Sequence, residues 1–276
     1  MKIEKARSYG FCFGVKRAVE IAEESKNAVT LGPLIHNPLE IERLSQNYNV
    51  KYIDSIDDID ENIKRVIVRT HGIPKEQLKK LKDKNVEIID ATCPFVKKPQ
   101  EIVEEMSAKG YDIVIFGDKN HPEIQGVMSY STHNRVYVVL TPEELENIKL
   151  KEHIATVAQT TRKISDYLKI TDYLIKNYKE VRVFNTICNA TFENQDAVKE
   201  LAKKADIMII IGGKNSSNTK QLYNIAKEFC EAYLVESEEE LKKEWFEGKA
   251  LCGISAGAST PEWLVEKIIS RIKEMV

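Results

Sequence analysis

Short runs of β-branched and other apolar residues alternate with longer amphipathic segments along the chain. Clear apolar runs lie at residues 66–68, 113–116 and 207–211, and charged segments with helical periodicity separate such runs. Strands that alternate with helices in this way are typical of βαβ units, whose strands form parallel sheets. The pattern therefore predicts an α/β protein with mostly parallel sheets.

Three cysteines open segments that share one layout. Cys12, Cys93 and Cys188 each precede a helical pattern, in the segments CFGVKRAVEIAEE, CPFVKKPQEIVEEM and CNATFENQDAVKELA. Each segment leads to an apolar run that ends in glycine and continues into a polar loop: LGPLIHN, FGDKNHPE or IGGKNSSN. Equivalent places in these loops, at nearly constant distances from the cysteines, are held by His36, His121 and Ser216.

A second polar loop follows in each segment, with His71 in RTHGIP, Thr160 in AQTTRK and Ser259 in SAGASTPE. In parallel α/β sheets, ligands bind beyond the carboxyl ends of the strands, where both kinds of loop are expected. The recurrence predicts three pseudo-repeated α/β lobes around one central cluster site. We expect the lobes to span 13–93, 94–187 and 188–276, with the N-terminal strand segment 1–12 completing the third.

A cysteine at the start of a helix lies near backbone N–H groups and the positive end of the helix dipole, which favour the thiolate. Three converging thiolates suit an iron–sulfur cluster with one open iron, or a zinc ion with an open fourth position. Alternatively, each cysteine is a small buried apolar residue. Cys230 and Cys252 lie outside the repeat, so we expect both in the core.

The loop GGKNSSNTKQ lies between a predicted strand and a predicted helix, and contains Ser216, Ser217 and Asn218. Backbone amides and short polar side chains at a helix start can bind a phosphate group. An ordinary helix cap explains the same residues. Ser259 offers a similar phosphate contact, or lies in a tight turn between strand and helix.

Three of the five histidines, His36, His71 and His121, occupy the repeated loops. Imidazoles there can bind a diphosphate by charge-assisted hydrogen bonds or transfer protons, although loop histidines are often only solvated. Glu123 follows His121 closely. In a desolvated pocket its carboxyl group would have a raised pKa and could donate a proton; otherwise it is a first-turn glutamate favoured by the helix dipole.

Charge and composition limit the classes of partner. The 41 Lys and Arg residues nearly balance the 43 Asp and Glu residues, for a net charge of −2, which argues against nucleic-acid binding or a polybasic membrane patch. No apolar run approaches the roughly 20 residues that span a bilayer, and the N-terminus lacks an apolar signal core. The five cysteines do not form a secreted disulfide pattern. We therefore expect a cytoplasmic protein without membrane contact.

Taken together, the motifs resemble one family. GFCFGVKRA, GPLIHN, RTHGIP, DATCPFV, HPEIQG, QTT, TICNAT, GGKNSSNT and SAGASTPEWL are similar to those of 4-hydroxy-3-methylbut-2-enyl diphosphate reductases. These enzymes perform the last step of the methylerythritol phosphate route to isoprenoids. The resemblance implies a three-lobed α/β protein with one 4Fe-4S cluster on Cys12, Cys93 and Cys188, and with one iron left open.

The resemblance also implies an activity and a set of roles. The reaction is a two-electron reductive dehydroxylation of the allylic diphosphate to isopentenyl and dimethylallyl diphosphate, with electrons from an external ferredoxin or flavodoxin. Glu123 would donate a proton with Thr160 and His121 beside it. The substrate contacts would be His36, His71, His121, Thr160, Ser216, Ser217, Asn218 and Ser259.

One position departs from the family pattern, because Asn194 stands where an arginine is expected; we expect an effect on local packing. A second interpretation is a three-cysteine 4Fe-4S dehydratase of the quinolinate synthase type, which uses iron only as a Lewis acid. A third is a zinc-binding or structural protein whose loops bind a phosphorylated ligand without turnover.

Overall fold

The computed structural model describes all 276 residues and alternates strands with helices, as the sequence predicts. The strands are β1 (Lys2–Lys5), β2 (Val29–Leu31), β3 (Lys51–Ile53), β4 (Arg65–Val68), β5 (Glu87–Asp90), β6 (Asp112–Phe116), β7 (Val136–Val139), β8 (His153–Ala158), β9 (Glu180–Val183), β10 (Ile207–Ile211), β11 (Glu231–Val235) and β12 (Leu251–Ala256). The helices are α1 (Phe13–Glu24), α2 (Pro38–Tyr48), α3 (Lys75–Lys82), α4 (Pro94–Ala108), α5 (Pro122–Met128), α6 (Ile164–Asn177), α7 (Asn189–Ala202), α8 (Ser217–Lys227) and α9 (Glu262–Met275). None of these helices combines the length and the apolar character needed to cross a membrane.

The strands form three sheets of four, and every pairing is parallel. The strand orders are β3-β2-β4-β5, β7-β6-β8-β9 and β11-β10-β12-β1. All three orders are the same once β1 is counted with the last sheet, where it pairs with β12. The α/β class and the three-fold repeat are therefore confirmed.

Burial explains why the central strands are apolar throughout. In β10 every residue is buried, because alternate side chains enter two different clusters. Ile207, Ile209 and Ile211 pack with residues of α9, whereas Met208 and Ile210 pack with residues of α7 and α8. A parallel sheet covered by helices on both faces requires such a continuous apolar run.

The chain divides into two compact units. The first consists of Met1–Lys16, Ile35–Leu44 and Asn189–Val276, and contains the sheet that includes β1. The second consists of Arg17–Leu34 and Ser45–Cys188, and contains the other two sheets. The three lobe boundaries given above stay a prediction.

Candidate active site

Each sheet has a topological switch point between its two central strands. From β2 the chain moves outward to β3, whereas from β4 it moves in the opposite direction to β5, and strands β6 to β9 repeat this arrangement. In the third sheet β10 leads outward to β11, and the edge position beside β12 is filled by β1 from the start of the chain. Loops that follow the two central strands therefore diverge and leave a crevice, which is the usual ligand-binding position in open α/β sheets. The loops with His36, His71, His121, Thr160, Ser216 and Ser259 all follow central strands.

The three repeated cysteines occupy equivalent structural positions. Each lies directly before a helix (α1, α4 or α7), and each is half-buried. The backbone N–H of Cys93 donates to the Thr70 carbonyl at 3.0 Å, and that of Cys188 donates to the Thr160 carbonyl at 3.0 Å. The N–H of Cys12 donates to the Ala258 carbonyl at 3.1 Å. Each cysteine is thus held against the second polar loop of a sheet.

The other two cysteines differ in both place and environment. Cys252 lies in β12 and is fully buried, and this burial raises the pKa of its thiol to about 12. Cys230 follows the end of α8, rather than lying within that helix, and packs beside an apolar cluster; burial raises its pKa as well. Thiols with raised pKa values are poor metal ligands at neutral pH because the thiolate is the ligand. Cys230 and Cys252 are therefore poorly suited to ligate a metal.

Glu123 is almost completely buried, at 1 % exposure, on the first turn of α5. Its Oε1 accepts the backbone N–H of Thr160 at 2.7 Å, and its Oε2 pairs with the Thr160 hydroxyl, also at 2.7 Å. Desolvation by burial raises the pKa of Glu123, and the hydrogen bonds from Thr160 oppose that change. The structure therefore brings Thr160 to both oxygens of the carboxyl group. The arrangement suits a proton donor.

Two of the predicted histidines lie beside this pair. The ring of His71 meets the ring of His121 edge to face, with the centroids 5.5 Å apart. The Nδ1 atom of His121 accepts the backbone N–H of Glu123 at 3.2 Å and caps α5. In the neutral imidazole the proton is therefore on Nε2, which makes that atom the donor.

In the compact unit that contains β1, two other polar loops contact the carbonyl oxygen of His36. The Ser259 hydroxyl donates to it at 3.2 Å. Gly213 approaches it so closely that an added Cβ would lie 2.4 Å from the oxygen, a separation that only glycine permits. His36, Gly213 and Ser259 thus hold three polar loops together around one peptide group.

The Ser216–Asn218 segment combines a helix cap with an unsatisfied side chain. Ser216 is the N-cap of α8, and its Oγ accepts the Thr219 N–H at 3.3 Å. Asn218 is 4 % exposed, yet neither its amide nitrogen nor its amide oxygen has a hydrogen-bond partner. Buried polar groups in proteins are nearly always paired, so an unpaired pair of atoms marks a site that a ligand can satisfy. Ser217 beside it is half-buried.

Sequence reasoning missed two residues around Glu123. Gln159 is fully buried, and its Oε1 accepts the Asp118 N–H at 3.0 Å and the Arg162 Nε–H at 3.3 Å. Burial lowers the pKa of Arg162, whose positive charge in turn favours the charged form of Glu123. Their position in the segment AQTTRK, close to Thr160, is the sequence feature that could have identified them.

Asn194 lies on α7 and is 4 % exposed. Its Oδ1 accepts the hydroxyl hydrogen of Ser8 at 2.6 Å. Asparagine accepts this bond without placing a charge in a buried position, as an arginine would. The departure noted in the sequence is therefore satisfied locally.

Comparison with known proteins assigns the family. A family model described as LytB protein matches residues 3–273, nearly the whole chain. The chain belongs to the LytB protein family. Proteins of this family generally carry an iron–sulfur cluster.

Relatives and solved structures agree along the full length. A protein named 4-hydroxy-3-methylbut-2-enyl diphosphate reductase from Nautilia profundicola is 90% identical over 275 residues, covering 100% of both chains. A protein of the same name from a Nitratiruptor species is 67% identical, covering 100% of this chain and 99% of the relative.

Among solved structures, one of (E)-4-hydroxy-3-methyl-but-2-enyl diphosphate reductase, described as the terminal enzyme of the non-mevalonate pathway, has 44% identity and a TM-score of 0.72. It is matched over 99% of this chain and 100% of that one. The Plasmodium falciparum E-1-hydroxy-2-methyl-but-2-enyl-4-diphosphate reductase has 26% identity and a TM-score of 0.91, over 97% and 86% of the two chains.

Proposed function

We propose that the chain is a reductase that removes the terminal hydroxyl group of 4-hydroxy-3-methylbut-2-enyl diphosphate. This is the final step of the methylerythritol phosphate, or non-mevalonate, route, and it yields isopentenyl and dimethylallyl diphosphate. The names of the relatives at 90% and 67% identity support this activity. Both relatives align with 100% of this chain.

The observation that carries the proposal is the equivalence of Cys12, Cys93 and Cys188. Each thiol stands at a helix start, half-buried, and each backbone amide bonds to the second loop of a sheet. Three thiols in repeated positions suit one 4Fe-4S cluster in which one iron has no protein ligand. When bound, the cluster supplies electrons one at a time and a Lewis acid for the substrate hydroxyl.

The diphosphate is bound by polar side chains of the strand-end loops. Asn218 supports this assignment most strongly, since its buried amide can donate to a phosphate oxygen and so gain the partner it lacks. The amides at the start of α8 add further donors. Ser259, whose hydroxyl donates to the His36 carbonyl, lies in a neighbouring loop and is a further proposed contact. The proposed contacts are His36, His71, His121, Thr160, Ser216, Ser217, Asn218 and Ser259.

Glu123 provides the proton that the departing oxygen needs. The carbon–oxygen bond breaks, and the hydroxyl oxygen leaves as water with the proton from Glu123, relayed by Thr160. The bonding pair leaves with the oxygen, and two electrons from the external donor reduce the allyl unit, which then takes a second proton at either end. Protonation at one end or the other gives the two products. His121, which fixes the Glu123 backbone through Nδ1, keeps the acid in place.

The electrons come from a separate donor of the ferredoxin or flavodoxin type, and we place the reaction in the cytoplasm. A simple experiment tests the activity. Protein prepared without oxygen is incubated with the hydroxylated diphosphate and a chemical reductant, and the products are identified by mass spectrometry. Formation of both isomeric diphosphates supports the proposal, and full recovery of the substrate refutes it.

The same preparation separates the other two interpretations. A zinc protein would be colourless because zinc has a filled d shell, whereas an iron–sulfur protein is brown. A dehydratase would release water from its substrate without consuming reductant. The reductase therefore requires both iron and electron uptake.

A further inference from the structure

Two of the loops assigned to substrate binding continue into helices whose first turns are bonded to each other. The His36 loop leads into α2, with Glu40 on the first turn, and the Ser259 loop leads into α9, with Trp263 on the first turn. The indole N–H of Trp263 donates to Oε2 of Glu40 at 3.0 Å. The contact thus joins the helices that follow the two loops.

The side chain of Glu40 is fixed by burial and by several hydrogen bonds. It is 1 % exposed, and Arg43 binds it with two parallel hydrogen bonds, Nε to Oε2 at 2.9 Å and Nη2 to Oε1 at 2.6 Å. Its backbone N–H donates to Oδ1 of Asn37, the residue next to His36, at 3.1 Å. A buried carboxylate with this many partners has one well-defined position.

His36 is therefore fixed from two sides. The Asn37–Glu40 bond sets the chain that follows it, and Ser259 and Gly213 meet its carbonyl oxygen. The bond from Trp263 to Glu40 closes a ring of contacts that passes through both loops and both helices.

We infer that Glu40 and Trp263 are positioning residues that hold the His36 and Ser259 loops in the arrangement that binds the diphosphate. The inference rests on the proposed function. Neither side chain touches the substrate; both act through the loops in front of them. The alternative is that the bond between α2 and α9 only stabilises the fold, in which case its loss would leave substrate affinity unchanged.

The first test replaces Trp263 with phenylalanine, which keeps an aromatic ring but lacks the N–H. The Glu40–Arg43 pair is retained, so the fold is preserved. We expect KM to rise by up to about tenfold, the limit set by one hydrogen bond to a charged group, because the loops then leave the binding arrangement more easily. We expect kcat to stay within about twofold, because the diphosphate is held alike in the ground and transition states.

The chain contains a matched control, since it has two tryptophans. Trp245 stacks on Tyr233 with ring centroids 3.8 Å apart. Trp245→Phe should leave KM and kcat unchanged.

The second test titrates wild-type, Trp245→Phe and Trp263→Phe protein with inorganic diphosphate by calorimetry. We expect weaker binding, by up to about tenfold, in Trp263→Phe alone. An unaltered KM and an unaltered diphosphate affinity in Trp263→Phe would overturn the inference. If the wild-type protein bound diphosphate more tightly than Trp263→Phe but formed no product, the proposed function alone would fail.

Discussion

Thr160 binds both carboxyl oxygens of Glu123, one through its backbone N–H and one through its hydroxyl, each at 2.7 Å. The two residues come from loops after neighbouring central strands, β6 and β8. Because the pair is buried and sits in a crevice, it can hold a proton out of contact with bulk water. Several properties of the protein should depend on it.

Glu123→Gln should separate binding from chemistry. Glutamine keeps the size of the side chain and both contacts to Thr160, but it has no proton to give to the departing hydroxyl group. Turnover should fall by roughly 100- to 10,000-fold, the usual contribution of a positioned acid, while substrate affinity stays similar. Steady-state kinetics and a binding titration measure the two effects.

Thr161→Val is the control for this pair, because Thr161 is adjacent in sequence while the two bonds to the carboxyl group described above come from Thr160; the variant should stay active. Near-normal turnover in Glu123→Gln, with the cluster intact by spectroscopy, would mean that another group donates the proton.

The raised pKa of Glu123 should make stability depend on pH. Burial raises the pKa above the ordinary value of 4.5, so the folded state binds this proton more tightly than the unfolded state does. The stabilising contribution is complete below about pH 4.5 and is lost as the pH rises through the folded-state pKa. Glu123→Gln lacks this loss.

The measurement is the thermal unfolding midpoint of the wild type and the variant between about pH 5 and pH 8. Relative to Glu123→Gln, the wild type should lose stability as the pH rises. Parallel curves for the two proteins would show that the Glu123 carboxyl group is not protonated in the folded state over this range.

Replacing any one of the repeated cysteines with serine should remove or severely destabilise the cluster, since two thiolates hold a 4Fe-4S unit poorly. Iron and sulfide content of Cys12→Ser, Cys93→Ser and Cys188→Ser, measured without oxygen, tests this. Cys230→Ser is the matched control, being half-buried but outside the repeat, and should keep its iron. Full iron content in Cys93→Ser would contradict the ligand assignment.

Much of this site could be predicted from the sequence because it repeats. Cys12, Cys93 and Cys188 precede three similar helices, and the loops follow apolar runs that are the central strands of three identical sheet orders. Such patterns can be read from the sequence because strands and helices place apolar residues at characteristic, different spacings.

The supporting contacts could not be predicted in the same way. The Trp263–Glu40 bond joins residues 223 positions apart, and the close approach of Gly213 to His36 depends on tertiary packing. Such pairs leave no periodic signal. Buried polar residues such as Gln159 are recognised only when the structure supplies their partners.

Asn218→Ala should weaken substrate binding without lowering the stability of the ligand-free protein. The variant removes a buried amide with no partner, so little native hydrogen bonding is lost. Affinity should fall by roughly tenfold to a hundredfold, as expected for a hydrogen bond to a charged group. Calorimetric titration and thermal unfolding measure the two properties.

Asn215→Ala serves as the control, because Asn215 is exposed in the same loop and should not affect affinity. Equal substrate affinities of Asn218→Ala and the wild type would instead show that Asn218 belongs to the start of α8 and does not contact the substrate.

The number of electrons consumed for each product molecule tests the central claim most directly. Wild-type protein is prepared without oxygen and supplied with a measured, limiting amount of a one-electron reductant and excess hydroxylated diphosphate. A reductive dehydroxylation requires two electrons for each molecule of isopentenyl or dimethylallyl diphosphate, in any ratio of the two. Product formed without electron uptake, or electron uptake without loss of the hydroxyl group, would contradict the account.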